Sequence, residues 1–133
     1  SQSTKPIQKD WLRIDKGILN KALSYKSNNQ YVFMFMDLLE KVYAIVEEAT
    51  IATLGIGCEN WRKCKCEDCV LLRKMIIKTL QRLGYNRRQM TLYTGLSKSA
   101  VGRYLSDYED SPIISKIRIE ISRKLSERGI SLR

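Results

Sequence analysis

Two groups of residues in this chain have types and spacings that can do chemistry. The first is Cys58, Cys64, Cys66 and Cys69, all four cysteines of the sequence, spaced C-x5-C-x-C-x2-C. Thiolates are soft ligands for tetrahedral zinc and for iron–sulfur clusters, and four of them complete either set. Zinc sites usually place two C-x2-C pairs a dozen or more residues apart. The packed spacing here is nearer, in reverse order, to a short cluster-binding loop, so zinc and an iron–sulfur cluster both stay open. One or two disulfides are the alternative, since intracellular proteins of hyperthermophiles use them, and free thiols are the plainest case. Arg62, Lys63 and Lys65 surround the group with positive charge, which offsets thiolate charge and favours the ionised sulfur.

The second group is Arg87, Arg88, Ser97, Lys98, Ser99, Gly102 and Arg103. Guanidinium groups pair bidentately with guanine edges or phosphate oxygens, and short hydroxyl and glycine positions let a helix approach a groove closely. The charge distribution agrees. The chain carries +10 overall; residues 1–55 hold 7 basic against 6 acidic residues, and residues 56–133 hold 17 against 8. Between Asp68 and Asp107 there is no acidic residue, while Arg73, Lys74, Lys78, Arg82, Arg87, Arg88, Lys98 and Arg103 all fall there. An acid-free window around such a group reads as a phosphate-facing surface.

These residues need elements to hold them. Residues 87–94 read as one short helix, Gly95-Leu96 as a tight turn, and residues 97–105 as a second helix with Ser97 as its N-cap. Met90, Leu96, Val101 and Tyr104 are spaced to pack the two helices together, which turns Ser97, Lys98, Ser99, Gly102 and Arg103 outward. Arg87 and Arg88 open the first helix, where backbone amides already favour an anion. The segment TGLSKSAVGRYLSD resembles the helix-turn-helix of lambda-repressor-like and resolvase-like regulators, through Gly95, Leu96, Ser97, Val101 and Arg103-Tyr104-Leu105. The likeness covers residues 82–106 only. Thr91 departs from the alanine usual at the helix crossing. What the resemblance implies is sequence-specific binding of double-stranded DNA; it says nothing about residues 1–70.

Around this segment the pattern is helical throughout. Trp11, Ile14, Ile18, Ala22 and Leu23 recur at helical spacing in a segment starting near Pro6. Residues 31–54 carry two adjacent apolar rows. Val32, Met36, Leu39, Tyr43, Val46, Thr50 and Thr53 form one; Phe35, Leu38, Val42, Ile45, Ala49 and Ala52 form the other. A stripe this wide predicts either a core helix or a dimer interface, and both can hold for one helix. Residues 67–83 form a further helix with Glu67 and Asp68 at its start and Gly84 as its stop. Residues 107–110 form an acidic loop, and Ser111-Pro112 starts a last helix lined by Ile113, Ile114, Ile117, Ile121 and Leu125.

The expected fold class is all-α, in three regions. Residues 1–57 are helical and expected to dimerise, residues 58–69 are a cysteine-rich loop, and residues 70–133 are the basic helix-turn-helix region with a C-terminal helix. The expected function is a dimeric DNA-binding transcriptional regulator with a four-cysteine metal or redox site. The competing expectation is a protein–protein interaction module, or part of a larger protein, that uses the apolar helix. An enzyme is not expected, since the chain has no histidine, no phosphate-binding glycine loop and no paired carboxylates on a convincing pocket. No apolar run approaches the roughly 20 residues of a membrane span and no signal-peptide pattern opens the chain, so no membrane partner and a cytoplasmic location are expected.

Overall fold

The computed structural model describes residues 11–14, 29–107 and 112–132, with side chains from residue 35 onward in the long first helix. Among the described residues there are five helices and no strand: α1 (Asn29–Leu54), α2 (Glu67–Leu83), α3 (Arg87–Thr94), α4 (Lys98–Ser106) and α5 (Pro112–Glu127). The fold class is all-α. Most of the expected helix over residues 6–27 lies outside the described residues. Where residues 11–14 are described they form a bend and an irregular stretch rather than helix. Trp11 and Ile14 are nevertheless buried, and the Ile14 amide donates to Leu83 O at 2.9 Å, satisfying a carbonyl at the end of α2.

The helix at the centre is α2, packed against α1, α4 and α5. Leu72, Met75, Ile76, Ile77, Leu80 and Leu83 are all fully buried and cover somewhat more than half of the helix circumference. An apolar face this wide is stable only against several other elements, while Lys74, Gln81 and Arg82 keep the remaining side polar. Cys66 caps its start and Gly84, at φ 104°, ends it in the left-handed region.

Most of the described part of the apolar rows of α1 is taken up inside the chain. Phe35, Leu39, Val42, Tyr43, Ile45, Val46 and Ala49 are buried, and α1 packs on α2 and α5. Each such side chain contributes roughly 1.5–3 kcal/mol by leaving water. Among the described side chains of α1, Met36 is the one large hydrophobic left exposed, at 43%. Helix α5 supplies the complementary stripe Ile114, Ile117, Ile121 and Leu125. At the rim, Glu48 accepts from Lys124 Nζ and Arg128 Nη2, each at 3.0 Å. The core joins residues from Trp11 to Leu132, so the three regions drawn from the sequence share it. Among the described residues no helix is long and apolar enough to cross a membrane.

Candidate metal centre and nucleic-acid interface

The cysteine loop leaves α1 at Gly55, whose φ of 67° suits glycine, and enters α2 at Cys66. Turns closed by Lys63 N–H and Cys64 N–H on Asn60 O bend it back on itself. Trp61, 3% exposed, is buried in the core and anchors it. The bend brings the sulfurs together. Cys58, Cys64 and Cys69 have Sγ atoms all within 4.8 Å of one another, close enough to hold a metal ion. Cys66 Sγ lies 3.4 Å from Cys64 Sγ and accepts from the Cys69 amide at 3.4 Å. No disulfide is at bonding distance, since an S–S bond is about 2.0 Å and all four thiols are free. Cys69 is wholly buried, and burial first, then the Cys66, Cys58 and Cys64 sulfurs, push its thiol far above the ordinary value.

Two arginines tie this loop to the helical pair that follows. Arg73, buried on α2, donates through Nη1 to Trp61 O at 2.5 Å and Cys64 O at 2.6 Å. Its Nε donates to Tyr104 Oη on α4 at 3.0 Å. Arg62, in the loop itself, donates through Nε to Thr94 O at 2.7 Å, at the end of α3. Its Nη2 reaches Tyr43 Oη at 3.2 Å and Glu47 Oε1 at 2.9 Å on α1. A guanidinium on the last carbonyls of a helix meets both an unsatisfied acceptor and the negative end of the dipole. One arginine thus joins the loop, α1 and the α3 terminus.

The pair itself follows from its local sequence. Asn86 and Gln89 form a reciprocal capping box at the start of α3. Gly95, at φ 74°, makes the turn, and Ser97 Oγ accepts from Ala100 N at 3.1 Å to cap α4. Met90, Leu96, Val101 and Tyr104 are buried between the helices. Thr94 is fully buried as well; its hydroxyl donates to Met90 O at 2.6 Å and accepts from Leu96 N at 3.1 Å, fastening the turn. Thr91 instead turns its hydroxyl onto Arg88 O at 2.8 Å, on the outer side. Tyr93 stacks on Tyr43 at 5.8 Å and meets Tyr85 edge-on at 6.0 Å, which fixes α3 against α1.

On the outer side, Arg87, Arg88, Thr91 and Lys98 line an open groove of about 580 Å³. Both helices start beside it, so three cationic side chains line one hollow near the positive ends of two helix dipoles. Ser97, Lys98, Ser99 and Arg103 are exposed, and a Cβ on Gly102 would meet nothing within 4 Å. The Arg103 guanidinium lies 5.3 Å from the Tyr104 ring centroid. Burial alone would raise the Tyr104 phenol, but bonds from Arg73 and Arg103 outweigh it and hold the phenol below its ordinary value.

Several bases of the acid-free window are not on this surface. Arg73 and Lys78 are buried, with Lys78 Nζ 3.3 Å from Leu105 O, and Lys74 pairs with Asp107 at 2.8 Å. Arg82 sits 5.8 Å from the Trp11 ring. A cationic side chain long enough to reach a carbonyl inside the fold cannot be told by composition from one that faces solvent. Sequence reasoning passed over Thr94 and treated Arg62 and Arg73 only as charge; no local signal marks the two arginines, because their partners lie between 9 and 32 residues away. Comparison with protein-family models, with curated proteins and with solved structures finds no match.

Proposed function

We propose that this chain is a sequence-specific double-stranded-DNA-binding regulator. In this reading α4 lies in the major groove, where Ser97, Ser99 and Gly102 towards its start and Arg103 in its last turn meet base edges. Arg87 and Arg88, with Lys98 at the rim, hold the flanking phosphates. The observation that carries the reading is the groove of Arg87, Arg88, Thr91 and Lys98 at the converging starts of two helices. The four cysteines belong to the same reading as a thiolate metal site, with zinc or an iron–sulfur cluster as the candidate occupant. A homodimer on two half-sites would use a surface other than the greater part of the α1 rows, since Phe35, Leu39, Val42, Tyr43, Ile45, Val46 and Ala49 are buried in the chain's own core. The same occupancy weighs against an interaction module built on that stripe.

Fluorescence anisotropy on a randomised duplex pool, at about 50 and 200 mM salt, tests the reading. Binding is expected to fall steeply with salt, and Lys98→Ala to weaken it on all sequences while lowering the salt slope by about one. Arg103→Ala is expected to relax base preference at one position, at a cost of roughly 1–3 kcal/mol. Absent binding, or binding indifferent to salt and to both substitutions, overturns the proposal.

A further inference from the structure

The cysteine cluster can be carried further than a site for some metal, because its geometry separates one ion from several. Sulfurs bonded at about 2.3 Å to one tetrahedral centre lie about 3.8 Å apart. A polynuclear cluster puts at most two terminal thiolates on any one iron, so of any three at least one lies well beyond that tetrahedral edge. Cys58, Cys64 and Cys69 stand with every Sγ···Sγ separation within 4.8 Å, and Cys66 Sγ is 3.4 Å from Cys64 Sγ. Cys58, Cys64 and Cys69 have the spacing of one coordination sphere; Cys66 stands outside that trio, against Cys64, as the remaining thiol that could complete it. Cys69 N–H donates to Cys66 Sγ, and an N–H directed at sulfur supports a thiolate ligand. Lys63 and Lys65 flank the loop and are exposed, so the negative charge of a four-thiolate complex has cations close in sequence to offset it.

Resting on the reading of the four thiols as metal ligands, we propose that Cys58, Cys64, Cys66 and Cys69 hold a single tetrahedral divalent ion of the zinc class, and that this ion fixes the loop on which the α3–α4 pair is seated. The connections are direct. Arg62 runs from the loop to Thr94 O, at the end of α3. Arg73 grips the loop at Trp61 O and Cys64 O while holding Tyr104 of α4. Both arginines need the loop carbonyls and the Arg62 backbone held in place. Trp61 and Arg73 hold the middle of this loop, and the ion would tie its start at Cys58 to Cys69 in the first turn of α2. The ion binds without redox change; each coordinating thiol gives up its proton to solvent.

The test uses the intact, reduced chain and no DNA, so its outcome is independent of the DNA reading. The metal-free protein is titrated anaerobically with cobalt(II). Expected is saturation at one cobalt per chain, with intense thiolate charge-transfer absorption and the visible bands of a tetrahedral site, displaced by one equivalent of zinc. Amide exchange is then followed with and without zinc. Gly95, Leu96 and Val101 amides are expected to slow by on the order of tenfold on loading. Arg62→Gln, which leaves all four sulfurs in place, is expected to keep the cobalt spectrum and lose most of that slowing. Iron with acid-labile sulfide in the purified protein, disulfides by mass, or no tetrahedral cobalt spectrum overturns the single-ion site. A normal cobalt spectrum with unchanged exchange at Gly95–Val101 leaves the metal site standing and overturns its role in seating α3–α4.

Discussion

At the scale of single residues, what distinguishes this protein is how its arginines divide. Arg87, Arg88 and Arg103 face solvent, while Arg73 is buried at 8% exposure with acceptors on Trp61, Cys64 and Tyr104. A buried guanidinium is tolerable because neutral carbonyl and hydroxyl acceptors take its donors. Arg73→Met keeps much of the side-chain volume but strands those acceptors, so a loss of roughly 2–4 kcal/mol is expected, read as a lower urea midpoint. Arg88→Met, at an exposed position, should move that midpoint by no more than about 0.5 kcal/mol equivalent. Equal effects would mean that Arg73 makes no such contacts in solution.

At the scale of elements, the α3–α4 pair was legible nearly in full, because its signals are local. The Asn86–Gln89 box, Gly95 and Ser97 act within a few residues of the groups they satisfy. Helix α2 was legible in extent, from Glu67 to Leu83, for the same reason. Its place at the centre of the fold was not, since periodicity reports which faces are apolar and not what covers them. The turn yields a sharp expectation. At Gly95 an added Cβ would meet only Arg62 atoms at 3.9 Å or more, so space is no obstacle and the φ of 74° is. Gly95→Ala is expected to cost about 1 kcal/mol in thermal unfolding. Gly95→Asn should cost less, as asparagine tolerates the left-handed region better. An alanine variant as stable as the parent would show that the turn adopts another backbone conformation.

At the scale of the whole molecule, stability should narrow at both ends of the pH range. Glu48 is held below the ordinary carboxylate value by Lys124 and Arg128, which join α1 to α5, and Asp107 by Lys74, which joins the end of α4 to α2. Lowered carboxyls contribute fully above their unfolded pKa of about 4 and lose that contribution as pH falls through the lower folded value. These groups are largely exposed, so the acid effect is modest and should shrink with added salt. The tyrosines act at the other end. Burial, and then Glu47, raises Tyr43 to about 12; burial also raises Tyr85 and Tyr93. Their contribution is whole below about pH 10 and lost as pH rises from there towards the folded value, because only the unfolded chain ionises readily. The expected melting temperature is flat between about pH 5 and 8 and falls on both sides, with phenolate absorbance appearing as the chain unfolds. A melting temperature still rising through pH 10 would contradict the buried tyrosine cluster.

By itself the sequence determined whatever depends on near neighbours: the all-helical class, the bounds of α2 to α4, the caps, the glycine turn, and the outward set Ser97, Lys98, Ser99 and Arg103. Helical periodicity and capping are interactions over three or four residues, and a linear string contains them. Tertiary structure alone decided three matters. It turned most of the described α1 rows into core against α2 and α5, it withdrew Arg73 and Lys78 from the basic surface, and it gathered Cys58, Cys64 and Cys69 within 4.8 Å. Each depends on contacts between residues distant in the chain or on how a loop bends back. Burial and convergence are properties of the packed chain, and no spacing along it contains them.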